Sequence, residues 1–133
     1  MKDRNYLIEM AQYKYFENVD KYDLDGVLDC FCEDATFTVR SGNPAKHHGI
    51  VEIREMFVEL FKGFPNKMVH KDFKHIVDEE NECIASQFNV ELMSGNNDEV
   101  YQTNCNFFYL ENGKFKEVHV YMMGQNVLAG KKA

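Results

Sequence analysis

Apolar residues recur along the first part of the chain with a helical period. Leu7, Ile8, Ala11, Tyr15, Phe16 and Val19 predict a helix over residues 4–20. Leu24, Val27, Leu28 and Phe31 fall at i, i+3, i+4, i+7 and predict a second helix. Asp23 is its N-cap, because a carboxylate there can accept from the unpaired amides of the first turn. Residues 35–39 are short and β-prone, and residues 41–49 read as a loop. Ile50, Ile53, Phe57, Leu60, Phe61 and Phe64 predict a third amphipathic helix, stopped by Gly63 and Pro65. From there the period changes to two. Residues 68–78 alternate, and Ile84, Ser86, Phe88, Val90 and Leu92 share one face of the next strand. A turn over 94–98, a strand over 101–110, a tight turn at 111–113 and a last strand over 114–128 complete the chain. The order α-α-β-α-β-β-β-β predicts an α+β fold with helices on one face of a curved antiparallel sheet.

Composition narrows the picture. A length of 133 residues fits one domain spanning 1–133, with a core of its own. Eleven Phe, seven Tyr and seven Met without a Trp make a soft aromatic interior. That suits a lipophilic pocket, and equally a plain core built without Trp. The formal charge of −7 argues against nucleic acid and against an anionic membrane surface, since both are held by Lys and Arg. No apolar stretch approaches a membrane span and no apolar run follows the charged start Met-Lys-Asp-Arg-Asn, so a cytoplasmic location is expected. Cys30, Cys32, Cys83 and Cys105 have neither disulfide nor zinc spacing and read as reduced thiols.

Asp23-Leu-Asp-Gly26, Glu33-Asp-Ala-Thr-Phe37, His48-Gly49, Ile53-Arg54 and the terminal hairpin occur in an order that resembles the SnoaL-like branch of the nuclear transport factor 2-like superfamily. The likeness runs over roughly residues 5–128. It implies a cone-shaped half-barrel, a homodimer formed through the convex sheet face, and chemistry without a cofactor. Tyr15 matches the oxyanion-hole tyrosine of ketosteroid isomerases and the tyrosine of bile-acid 7α-dehydratases. Asp20 and His70 match the Asp and His that act together in bile-acid 7α-dehydratases and scytalone dehydratases. The chain departs from the isomerases where their general base falls on Val39 and their second oxyanion donor falls near Cys105. Neither residue can serve those roles, which speaks against a ketosteroid isomerase. The aspartate-arginine-aspartate set of limonene epoxide hydrolase is not evident.

These residues define a candidate chemistry. A carboxylate at Asp20 would fix the tautomer of His70, whose imidazole would move a proton next to a carbonyl or onto a leaving hydroxyl. Tyr15 would stabilise the carbonyl oxygen. The plain alternatives are a helix-end carboxylate, a strand histidine and a core tyrosine. Strict alternation puts His70, Asp72, Lys74 and Ile76 on one face and Val69, Lys71, Phe73, His75 and Val77 on the other, so either His70 or His75 faces inward. Phe31, Phe37, Phe57, Phe61, Phe88 and Phe107 are candidates for the pocket wall, and His119 for the pocket or a partner surface. His47 and His48 lack the companions of a metal site, and no metal or cofactor is expected. Two functions remain: a lyase or isomerase acting on a hydrophobic ring compound that carries a hydroxyl or carbonyl, or a non-catalytic binding module on the same fold.

Overall fold

The first helix starts where Asp3 accepts the Tyr6 amide at 2.9 Å. The computed structural model describes residues 2–129. This helix is α over Arg4–Ile8, π over Glu9–Phe16 and α again over Glu17–Asp20. The Glu17 amide accordingly reaches back to the carbonyl of Gln12. A π turn spans one residue more than an α turn. Inward pairs therefore recur at a spacing of five: Met10 and Ala11, then Tyr15 and Phe16, all buried. After a turn at Tyr22 (φ 59°), Asp23 caps the second helix, Leu24–Leu28, by accepting the Gly26 amide at 3.0 Å. This helix stops short of Phe31. The Phe115 amide donates to the Cys30 carbonyl at 2.8 Å and draws Phe31 into the sheet.

Six strands form that sheet: β1 (Phe31–Val39), β2 (Ala45–His48), β3 (Lys67–Asp78), β4 (Cys83–Met93), β5 (Glu99–Glu111) and β6 (Lys114–Tyr121). Their order is β2-β1-β6-β5-β4-β3, curved and unclosed. The third helix, Gly49–Gly63, packs on β1 with Ile53, Met56, Phe57 and Leu60 buried. The architecture is the expected α+β cone, with three differences. The segment read as a loop contains β2, paired antiparallel with β1. β1 and β6 run parallel, so the sheet is mixed. β6 ends at Tyr121, and a 3₁₀ turn, Val127–Ala129, follows it.

The phase of β3 is the detail that matters most for the site. Lys71 pairs with Asn89 and Lys74 with Gln87, so Asp72 and Phe73 together oppose Phe88. This is a β-bulge, with Asp72 at φ 58° and its carboxylate accepting from Asn89 Nδ2 at 2.9 Å. The bulge shifts the alternation by one. His70 pairs with buried Val90 and His75 with buried Ser86, so both histidines face inward. That corrects the strict alternation expected from the sequence. Among the described residues, no helix is long and apolar enough to cross a membrane.

Candidate active site

Asp20 closes the first helix, where a carboxylate opposes the helix dipole. Its compensation is His70. The His70 backbone amide donates to Asp20 Oδ2 at 2.9 Å, and the ring Nδ1 lies 2.5 Å from Oδ1. A carboxylate only accepts, so Nδ1 carries the proton in this pair and Nε2 is left for a ligand. The rings of Phe16 and Phe88, 4.9 Å and 5.3 Å away, flank the imidazole. The His70 side chain is 11% exposed and that of Asp20 24%.

Tyr15, near the end of the π segment, is buried among Phe16, Phe31, Phe57, Phe108 and Phe115. Burial is the main force raising its pKa, with Cys30 and Asp20 adding to it. The hydroxyl therefore stays protonated at neutral pH and is available as a donor.

Tyr15 and His70 share the wall of an inner cavity of about 40 Å³. Phe57, Phe88, Val90 and Leu92 add apolar wall, Asn104 and Asn106 on β5 add polar wall, and Val127 and Leu128 also border it. The Asn104 amide nitrogen donates to Gln102 Oε1 at 3.0 Å, and its oxygen accepts from the Met123 amide at 2.9 Å. Asn106 Oδ1 is buried and has no hydrogen-bond partner. A buried acceptor left unmatched is costly, and a ligand donor would satisfy it. Neither asparagine was expected as a site residue. The signal was present: Gln102, Asn104 and Asn106 alternate in phase with Phe108 and Leu110, so polar side chains occupy the core face of a strand.

The aromatic candidates divide. Phe57 and Phe88 line the cavity. Phe31 and Phe37 are core rings behind it, 6.2 Å apart. Phe61 stays on the flank of the third helix, 5.2 Å from Tyr22. Phe107 and His119 do not reach the cavity, because alternation sends them to the other sheet face. There Phe107 meets Tyr121 at 5.9 Å, and His119 meets Tyr109 at 5.8 Å and accepts from Arg40 Nε at 3.2 Å. His75 lies inside but is fully engaged: its Nε2 is 2.7 Å from Gln12 Oε1 and its Nδ1 2.8 Å from Ser86 Oγ. Burial pushes the Cys30 thiol up to about 12, which leaves it a core hydrophobe rather than a nucleophile.

The profile of the SnoaL-like domain matches residues 13–118. The chain belongs to the SnoaL-like family. Solved structures share the fold of this SnoaL-like protein at low identity. A candidate polyketide cyclase from Xanthomonas campestris pv. campestris is 15% identical with a TM-score of 0.77, over 90% of this chain and 92% of that one. A candidate isomerase from Bacillus subtilis is 12% identical with a TM-score of 0.79, over 92% and 89%. AusH from Aspergillus nidulans is 16% identical with a TM-score of 0.78, over 98% and 94%. No curated protein matches the SnoaL-like chain.

Proposed function

We propose that this protein is a cofactor-independent lyase or isomerase, acting by general acid–base chemistry on a small hydrophobic ring compound with a hydroxyl or carbonyl group. The observation that carries the reading is the double grip of Asp20 on His70 at the wall of the cavity. In the dehydration, His70 Nε2 takes the proton α to the substrate carbonyl. The released electron pair forms the C=C bond, the C–O bond breaks, and the departing hydroxide recovers a proton from the imidazolium to leave as water. Asp20 stabilises the imidazolium, and Tyr15 donates to the carbonyl oxygen as negative charge grows on it. Stopping at the enol and reprotonating elsewhere gives the isomerase. The fold neighbours described as a candidate cyclase and a candidate isomerase are consistent with such chemistry.

The small cavity favours a second reading, a non-catalytic small-molecule or protein-interaction module. In either case we place the protein in the cytoplasm as a homodimer. Its contact would run through the outer sheet face, where Tyr101, Phe107, Tyr109 and Tyr121 stand. The test is α-proton exchange into heavy water of aromatic-fused hydroxyketones, followed by NMR. Exchange by the wild type and its loss in His70→Gln support catalysis. A hydroxyketone that binds without exchanging leaves the binding module.

A further inference from the structure

The inner cavity of about 40 Å³ has room for about three waters, and a six-membered ring does not fit. A second space of about 510 Å³ lies between the end of the third helix, the turn joining β4 to β5, and the segment after β6. Val127 borders both spaces. The partition at this point is a single 3₁₀ turn outside the sheet. Among the described residues, its side-chain hydrogen bonds run through Gln125 and Asn126. Gln102 Nε2 donates to the Gln125 carbonyl at 2.9 Å, and Asn126 Nδ2 donates to the Asn43 carbonyl at 2.6 Å. Asn126 Oδ1 accepts from the Leu128 amide at 2.9 Å. Asn126 itself is buried and hydrogen-bonded, whereas Val127 and Leu128 are half-buried and rest on the third helix and the core, so the turn has a hydrogen-bonded root and a tip held by apolar packing.

The outer space has a definite chemical character. Lys62 is matched by Glu59 at 3.7 Å, and Asp98 adds a further negative charge. Asn96 and Gln125 offer neutral amide donors and acceptors. An anionic arm would be repelled there, and an uncharged hydroxyl- or amide-bearing arm would be hydrogen-bonded.

We infer that Val127 and Leu128 are a movable plug, and that the ligand is a two-part molecule lying across both spaces. Withdrawal of Val127 and Leu128, which line the inner cavity, joins it to the outer space; the apolar ring then lies beside His70 and Asn106, and the uncharged polar arm lies in the outer groove. This rests on reading the cone as a ligand site, but not on turnover.

Two probes and one variant test it. ¹⁵N-labelled protein is titrated with 2-naphthyl β-glucoside, which has a neutral polyol arm, and with 2-naphthyl phosphate, which has an anionic one. The glucoside is expected to shift resonances of His70 and Asn106 together with those of Lys62 and Asn96, and to bind at least about tenfold tighter than the phosphate. Leu128→Ala is expected to bind the glucoside about fivefold tighter, because displacing the plug then exposes less apolar surface. Shifts confined to one space, no shifts at all, equal or tighter binding of the phosphate, or unchanged or weaker binding by Leu128→Ala each overturn the inference. Failure of catalysis leaves these binding signatures intact, so the two ideas fail separately.

Discussion

Asp20 holds His70 at two points, its backbone amide and its ring Nδ1, with one carboxylate oxygen for each. The backbone contact fixes where the carboxylate sits, and the ring contact fixes which nitrogen carries the proton. A single residue thus sets both the position and the tautomer of the imidazole.

This arrangement predicts an inverted tautomer in Asp20→Asn. The backbone amide of His70 needs an acceptor, so the new side chain keeps its oxygen there and turns its NH₂ toward Nδ1. Nδ1 then accepts, and the proton moves to Nε2, which becomes a donor. Long-range ¹H–¹⁵N spectra of the His70 ring report the change directly. Catalysed proton exchange is expected to fall by about 10²–10⁴-fold. An unaltered tautomer would remove the basis of the acid–base reading.

Asn106→Leu is expected to stabilise the ligand-free protein. The buried Oδ1 has no partner, and replacing it with an apolar group of similar size removes a desolvation cost of about 1 kcal/mol. That corresponds to a rise of roughly 4 °C in melting temperature. Binding of hydroxylated ring compounds should weaken in the same variant. A lower melting temperature would mean that the asparagine is structural.

Acid should weaken the fold in a particular window. Burial lowers the pKa of His75, with Arg4 acting in the same direction. Burial also lowers that of His47, against an opposing pull from Glu52. Both start from an ordinary value of 6.5. The unfolded chain therefore binds protons that the folded one resists. Their contribution is complete above the unfolded pKa and is lost as pH falls below it. Melts between pH 7.5 and 5 should show the decline, and His47→Gln with His75→Gln should flatten it.

The bulge can be probed at Asp72, whose backbone sits at φ 58°. Asp tolerates this region, and a β-branched residue does not. Asp72→Val should lose about 1–2 kcal/mol, or roughly 3–8 °C in melting temperature. Asp72→Gly should melt close to the wild type, because relief of strain offsets the lost bond to Asn89. Equal melting of the Val variant and the wild type would argue that the bulge relaxes freely.

Elements with a strong period were readable from the chain: the third helix, the hairpin strands and the Asp23 cap. The parallel pairing of β1 with β6 was not, because it joins segments far apart in sequence and leaves no local mark. The bulge was equally silent, since an Asp in a polar-apolar alternation looks ordinary whichever way its backbone turns. Counting residues in twos across it set His70 and His75 on opposite faces, when the fold puts both inside. Aromatic content misled at Phe107, where the neighbouring asparagines hold the inner face. For Asp20 and His70 the family likeness supplied the pairing, and periodicity alone did not.

The π winding of the first helix has a consequence for how this site tolerates changes in chain length. A π turn carries one residue more than an α turn, and β3 likewise carries one extra residue just after His70. Removing a single codon between residues 9 and 16 would restore an ordinary helix with Tyr15, Phe16 and Asp20 still in phase, because the wide turn is what absorbs the extra residue. The sheet and the remaining helices would be left in place. The Asp–His pair can therefore outlast a one-residue change of length in this helix, and relatives that wind it entirely as α should keep the pair one position earlier in their numbering.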